Sequence, residues 1–134
     1  MNTSYWRNKI MDDTFQSSSG NVFYVGISGT TPTAAGGNVT EPSGDGYARV
    51  KISAFTTAVD GQIENTNDII FHRSNGVWFT DNAKCTHWVL FGGPGANAHL
   101  LSSGTLESPI AIPKNTVVTI GAGEITITLT DGVS

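Results

Sequence analysis

Charged residues are scarce in this chain of 134 residues, where they make up 13% of the sequence, compared with about 25% in an average globular protein. The seven Lys and Arg residues are scattered singly, and the formal net charge is −4. A protein that binds the nucleic-acid backbone needs clustered basic side chains to replace counterions. The composition therefore excludes nucleic acid as the expected partner.

Cysteine and long apolar runs are also lacking. Cys85 is the single cysteine, so no disulfide can form within the chain and nothing in it requires an oxidising compartment. No apolar run is long enough to span a bilayer, and the first residues lack the apolar core of a secretory signal. The sequence therefore predicts a protein that is made and folded in a cytoplasm and has no membrane partner.

The chain is rich in glycine and in hydroxyl residues, and in its C-terminal part aliphatic and hydroxyl residues alternate. Ile125, Ile127 and Leu129 alternate with threonines, which places the aliphatic side chains on one face of a strand and the hydroxyls on the other. Residues 116–130 are therefore predicted to form a half-buried hairpin that turns at residues 121–123. With many short strands and tight turns, the whole chain is predicted to be mainly β, an antiparallel β-sandwich.

Further strands and loops can be placed along the chain. Residues 21–28 are almost continuously apolar, which predicts a central strand covered on both sides. Residues 29–46 contain Pro, Gly and many hydroxyls and are predicted to form a long surface loop. Residues 47–53 are predicted to form a strand whose Arg49 and Lys51 face water. Shorter strands are expected at residues 69–72, 78–79 and 86–91, and residues 92–95 are expected to form a hairpin turn.

The N-terminal segment differs from the rest and is predicted to be a short amphipathic helix within residues 1–15. Thr3 or Ser4 can cap it, and Trp6 and Ile10 fall near helical spacing. Isolated helices of this length are marginal in water, so Trp6 and Ile10 are expected to dock on the sheet or on a neighbouring subunit. We expect a single domain over residues 1–134, with the β-sandwich body at residues 21–134.

No residue pattern in the sequence predicts catalysis, a cofactor or a metal. His72, His87 and His99 have spacings that match no metal-ligand motif, so structural or exposed roles are favoured. Cys85 and His87 lie two residues apart, but no orienting group or oxyanion donor accompanies them. A buried thiol beside a packed histidine is the better interpretation, and an enzyme such as a small hydrolase is the least favoured hypothesis.

Several short motifs occur together in an order that resembles a family of small tailed-bacteriophage virion proteins, of the tail-fibre-like and capsid-decoration type. The family has a short N-terminal helix followed by a strand like Phe23–Ser28 and a Thr-Pro pair like that at residues 31–32. The later motifs are Glu-x-x-Gly-x-Gly-Tyr-Ala-Arg at residues 41–49, Asn-x-x-Asp-Ile-x-Phe at residues 65–71, and Thr-His-Trp at residues 86–88. A Gly-x-Leu-x-x-Pro turn at residues 104–109 and an Ile-Thr-Ile-Thr-Leu ending complete the pattern.

The resemblance implies a non-enzymatic structural protein on the surface of a phage particle, assembled in the bacterial cytoplasm and located in the virion. Its expected partners are the major capsid protein or other virion proteins, with capsid decoration or cement as the first hypothesis and a homo-oligomer, by analogy a trimer, as the expected assembly. The alternative is a tail-fibre or tail-tip module that binds host glycans, for which Tyr47 is the open candidate. The residues expected to contact other proteins are Trp6, Ile10, Glu41, Tyr47 and Arg49.

Overall fold

A computed structural model describes residues 3–16, 20–52, 54–79 and 83–129. These residues form a mainly β protein with one N-terminal helix and antiparallel strand pairs, which confirms the predicted fold class. The elements are α1 (Ser4–Phe15), β1 (Phe23–Ser28), β2 (Val50–Ile52), β3 (Gln62–Glu64), β4 (Ile69–Ile70), β5 (Cys85–Phe91), β6 (Leu100–Ile110), β7 (Thr119–Ile120) and β8 (Thr126–Thr128).

The chain divides into two compact units. The smaller unit combines Met1–Asn21, Ser53–Asp68 and Gly121–Ser134, and the larger unit combines Val22–Ile52 with Ile69–Ile120. The expectation of a single domain stays a prediction. Within the described part of the chain, no helix is long and apolar enough to cross a membrane.

The larger unit is built on a four-stranded sheet in the order β2-β1-β5-β6. As the sequence predicted, β1 is central, and it lies between β2 and β5 with all but one of its side chains buried. Its apolar run is continuous because both faces are covered. Trp88 on β5 is buried as well and belongs to the core.

The turn after β5 has the predicted hairpin role, since the Gly92 amide donates to the His99 carbonyl at 3.1 Å where β5 leads back into β6. The predicted turn at residues 104–109 is wrong, because these residues belong to β6. Gly104 lies opposite Trp88 in the ladder. A Cβ at Gly104 would lie 2.5 Å from the indole ring, so this glycine makes room for the aromatic side chain rather than for a turn.

Two short strands, β4 and β7, form a separate two-stranded sheet in the larger unit. Ile69 pairs with Ile120 and both are buried, whereas Ile70 pairs with Thr119 and both are exposed. Residues 78–79, predicted as a strand, form a bend. Trp78 and Phe79 are nevertheless buried, because their apolar side chains enter the core from an irregular segment.

The predicted hairpin over residues 116–130 is wrong in its pairing. The first run contributes β7, which pairs with β4, and the second contributes β8, which pairs with β3. The alternation itself is confirmed, since Ile125 is buried while Thr126 and Thr128 are exposed. An alternation of apolar and polar residues determines which face of a strand is buried, but it does not identify the neighbouring strand.

The smaller unit contains α1, β3 and β8. Thr3 is the N-cap of the helix, and its hydroxyl accepts a hydrogen bond from the Trp6 amide at 3.2 Å, as expected for a capping threonine. The helix buries Met11. It is tied to its own unit by side-chain acceptors, because Asn8 Oδ1 accepts from the Gly61 amide at 2.7 Å and Asp12 Oδ1 accepts from the Ala58 amide at 2.8 Å.

Candidate functional site

The most connected group of side chains in the larger unit is the Glu41 cluster, which we define as Glu41, Tyr47 and Arg49. Arg49 Nε donates to Glu41 Oε2 at 3.1 Å, and Arg49 Nη2 donates to Glu41 Oε1 at 2.7 Å. The two side chains are only 9% and 18% exposed. This is a bidentate ion pair, the strongest and most directional form of an arginine-carboxylate contact.

The rest of the Arg49 guanidinium group is also engaged. Nη1 donates to the carbonyls of Gly93 and Gly95 at 3.2 and 2.7 Å, and the guanidinium carbon lies 3.4 Å from the centre of the Phe91 ring. Arg49 thus joins the loop that carries Glu41 to the turn between β5 and β6. The prediction that Arg49 faces water is wrong, because the strand begins only at Val50 and the arginine side chain is directed onto the Phe91 ring.

Tyr47 completes the cluster. Its hydroxyl donates to Glu41 Oε2 at 2.5 Å and accepts from the Ile27 amide at 3.2 Å. Burial, followed by the hydrogen bond to Glu41 and the charge of Glu41, raises the pKa of Tyr47 above its usual range. The phenol is therefore held in its neutral, donating form. The ring contacts Phe71 and Trp78, with centroid separations of 6.2 and 5.3 Å.

Glycines shape the backbone around this cluster. Gly44 and Gly46 have φ values of 76° and 84°, in the left-handed region that glycine adopts readily, so the loop can turn sharply into Tyr47. Gly26 on β1 has a different function. A Cβ there would lie 2.5 Å from the Tyr47 hydroxyl and 2.7 Å from Glu41 Oε2, so Gly26 leaves the space that the cluster occupies.

An open pocket of about 330 Å³ lies over the cluster and is lined by Glu41, Pro42, Tyr47, Ala48, Arg49, Pro94 and Ala96. Glu41 Oε1 accepts a hydrogen bond from Arg49, and Glu41 Oε2 accepts from both Arg49 and Tyr47. Arg49 donates from all three of its side-chain nitrogens. Each oxygen of the Glu41 carboxylate therefore already has a donor within the protein. The arrangement holds two loops against the sheet.

The other two predicted contact residues, Trp6 and Ile10, belong to α1 in the smaller unit. Trp6 is 50% exposed and its neighbour Tyr5 is 75% exposed, while Ile10 is half-buried. The buried anchor of the helix is Met11, and the docking of Trp6 and Ile10 on a neighbouring subunit stays a prediction. Trp6 remains available as a contact residue.

The histidines and the cysteine occupy ordinary structural environments. His72 Nδ1 lies 2.9 Å from its neighbouring carbonyl at Arg73, and His87 Nδ1 lies 2.8 Å from the Thr86 hydroxyl. Cys85 is fully buried, and this burial raises the pKa of its thiol to about 12. In the ranges that the structure describes, no three His, Cys, Asp or Glu side chains gather as a metal site would require.

Three buried polar side chains, Ser28, Asn65 and Ser74, organise loops and were missed in the sequence. The Ser28 hydroxyl donates to the Thr30 carbonyl at 2.8 Å and accepts from the amides of Thr30 and Thr40. Its position beside the long loop gave no distinctive signal. Asn65 binds four backbone groups, on Asn67, Gly121, Gly123 and Ile125. Asn65 is the first residue of the Asn-x-x-Asp-Ile-x-Phe motif, so a signal for it was present.

The described residues thus form a mainly β protein of antiparallel sheets, in which buried polar side chains hold loops. A family model described as Podophage GP4 fiber I protein gp80 matches residues 2–128. The chain belongs to this family of phage fibre proteins, which confirms the resemblance to phage virion proteins of the tail-fibre-like type. The family is consistent with a structural role in the virion and with association with other virion proteins. No curated protein matches the chain significantly.

Proposed function

We propose that this protein is a non-enzymatic structural subunit of a phage fibre, present in several copies on the outside of the particle. The placement on a fibre is supported by the description of the family that matches residues 2–128. Capsid decoration, the first hypothesis from the sequence, stays a prediction that this description does not favour. A homo-oligomer, by analogy a trimer, is part of the proposal.

The structural role is supported by the saturation of the Glu41 cluster. The polar side-chain atoms of Glu41, Tyr47 and Arg49 form hydrogen bonds with one another and with the backbone. The thiol of Cys85, which was considered above as a nucleophile, is fully buried, and so is the hydroxyl of Ser28. Catalysis needs a reactive group that a substrate can reach, and none of these groups offers one.

The same geometry weakens the glycan-binding alternative at Tyr47. A sugar-stacking aromatic presents a free ring face to the ligand, whereas the Tyr47 ring packs beside Phe71 and Trp78 and its hydroxyl binds Glu41. The exposed aromatic residues of α1, Tyr5 and Trp6, are better placed to meet another surface. We therefore keep Trp6 and Ile10 as proposed contacts with other virion proteins and assign the Glu41 cluster to holding the adjoining loop surface in shape.

The placement can be tested by locating an epitope-tagged copy on purified particles with gold-labelled antibody and electron microscopy. Label on fibres supports the proposal, and label spread over the capsid supports decoration instead. Particles without any label, from cells that express the tagged protein, would contradict a virion role. An untagged phage processed in parallel controls for non-specific labelling.

The non-enzymatic role is tested separately with purified protein and host cell-wall or capsule material. We expect no release of soluble fragments by the wild-type chain. Release that is lost in a His87→Ala variant would overturn this part of the proposal, because it would assign hydrolysis to the chain itself.

A further inference from the structure

The strand β6 has an open side. In the sheet order β2-β1-β5-β6, β5 lies on one side of β6, and the described residues supply no strand on the other. An antiparallel strand directs the N–H and C=O groups of alternate residues away from its partner. β6 has 11 residues, which is longer than the usual strand of about 3–10 residues. A long open edge of this kind is a template for a further strand.

Natural proteins protect such edges with charged residues, prolines or bulges. In β6 the charged residue and the proline, Glu107 and Pro109, lie in the irregular region between the Cys85 and His87 pairings, and a second irregularity between the Leu90 and Phe91 pairings leaves Leu101 without a pairing partner. Residues 102–105 pair with β5 without a further register shift, and residues 100–105 contain neither a charged residue nor a proline. Two of the usual protective features are therefore absent from this half of the edge, as expected of an edge that is covered in the assembled state.

A groove runs beside the same half of the strand. It has a volume of about 210 Å³ and is lined by Leu100–Ser103 on one side and by Pro32, Thr33, Ala34 and Gly36 of the long loop on the other. Leu101 is 49% exposed there. A strand added in this groove could hydrogen-bond to the backbone of β6 and cover the exposed side chain of Leu101.

The charge distribution identifies the kind of partner. Residues 21–40 and 85–106 contain no Asp, Glu, Lys or Arg, and these are the two tracts that meet at the groove. Each copy has a formal net charge of −4, and a contact surface without charged residues places no like charges close together when two copies meet. A charge-free surface also offers no ion pair to a strongly charged partner. The edge is therefore suited to a second copy of this chain.

We propose that residues 100–105 of β6 form a contact between two copies of this chain, in which a strand of the second copy is added to the open edge. The contact supplies backbone hydrogen bonds to the free side of β6 and covers Leu101. It goes beyond the fibre placement and does not depend on it, since it concerns how copies join and not where they are located.

The first test is hydrogen exchange of the full wild-type chain over a range of protein concentrations. We expect the amides of residues 100–105 to become at least tenfold more protected as copies associate, while those of the central strand β1 stay equally protected throughout. A chain that remains monomeric at every concentration would overturn the proposal. So would association with new protection confined to other parts of the chain.

The second test places a charge on the edge. Ser103→Lys adds a solvated side chain to β6 and is expected to weaken self-association by about tenfold or more, which corresponds to ~1.4 kcal/mol. The matched control is Thr119→Lys, on an exposed position of β7, which should associate like the wild type. Sedimentation equilibrium measures both, and the urea midpoint shows whether each variant is folded.

Unchanged association of a folded Ser103→Lys protein would overturn the proposal, and equal weakening by Thr119→Lys would do the same by showing that the effect is not specific to the β6 edge. If Ser103→Lys does not fold, the hydrogen-exchange result on the wild type decides. Labelling of fibres in electron microscopy is independent of all these outcomes, so the failure of the contact and the failure of the fibre placement are distinguishable.

Discussion

The guanidinium group of Arg49 lies 3.4 Å from the centre of the Phe91 ring, so a charged side chain is placed directly against a buried aromatic residue of β5. The charge is tolerated there because Glu41 pairs with it through two hydrogen bonds. Removing one member of a buried pair leaves the other without compensation. This asymmetry makes Arg49 the most informative position for mutation.

Arg49→Met should lower the free energy of unfolding by about 2–4 kcal/mol, because it leaves the Glu41 carboxylate poorly compensated in a largely buried place. The measurement is urea denaturation followed by tryptophan fluorescence. The control is Lys51→Met on the exposed side of β2, which should change stability by no more than ~0.5 kcal/mol. Similar losses from both substitutions would show that the ion pair is not the cause.

Tyr47→Phe should cost about 1–3 kcal/mol, because the Ile27 amide and Glu41 Oε2 each lose a hydrogen-bond partner while the aromatic ring is kept. Gly26→Ala should also be destabilising, since the new methyl group would overlap the same hydroxyl. The two effects should not add, because Tyr47→Phe removes the hydroxyl that the methyl group meets. Urea unfolding of the two single variants and the double variant measures how far the two stability losses depend on each other. Losses that add strictly in the double variant would contradict the predicted contact between the methyl group and the hydroxyl.

Asn65→Ala should be strongly destabilising, by about 3 kcal/mol or more, because several backbone groups that Asn65 now satisfies would be left without partners. Thermal unfolding by circular dichroism gives the size of the loss. Asn97→Ala, at an exposed position in the turn between β5 and β6, provides the comparison and should be close to wild type. A loss below about 1 kcal/mol for Asn65→Ala would show that water replaces the amide.

Alkaline pH should destabilise the fold through Cys85. Burial raises the pKa of the folded thiol from 9.0 to about 12, so between these values the folded chain binds more protons than the unfolded chain. The contribution of the thiol is complete below pH 9 and is lost as the pH rises towards 12, with a slope of up to ~1.4 kcal/mol for each pH unit. The raised pKa of Tyr47 acts in the same direction at higher pH.

The test compares urea midpoints of wild type and Cys85→Ala between neutral and alkaline pH. The variant should start from a lower stability, because it has lost buried volume, but should show a shallower decline above pH 9. Parallel declines for the two proteins would contradict the assignment to Cys85. Tyr47→Phe serves as the second comparison, since it removes the phenol instead of the thiol.

Trp6 and Met11 should respond in opposite ways on the same helix. Met11→Ala should lower stability by about 2–3 kcal/mol because Met11 is buried, whereas Trp6→Ala should cost less than about 1 kcal/mol because half of its surface already meets water. Under the proposed contact role, Trp6→Ala should also reduce incorporation of the protein into particles. Unaltered occupancy on purified particles, measured by quantitative mass spectrometry, would remove Trp6 from that role.

The sequence predicted those features that depend on neighbouring residues along the chain. The capped helix, the buried β1 strand and the alternating faces around Ile125 follow from local periodicity. Strand pairing did not follow, because β7 and β8 carry the same pattern whichever strands lie beside them. The hairpin prediction assumed that neighbours in sequence are neighbours in the sheet.

The candidate site was predicted only in part for a related reason. Glu41, Tyr47 and Arg49 could be selected from their motif, but the partners of Arg49 at Gly93 and Gly95 are distant in sequence. Arginine at an alternating position was assigned to the wet face, and the structure instead places it beneath a loop. A carboxylate that reaches a buried arginine leaves no periodic signal in a single sequence.

The pairing of β3 with β8 brings residues 62–64 together with residues 126–128. During synthesis β3 therefore cannot pair with β8 until residues 126–128 have left the ribosome. Contacts of such long separation close slowly, so α1 and β3 have to persist without their final neighbour. The larger unit has pairings of similar separation, such as Tyr24 with Phe91, so neither unit can complete its sheet until most of the chain has been synthesised.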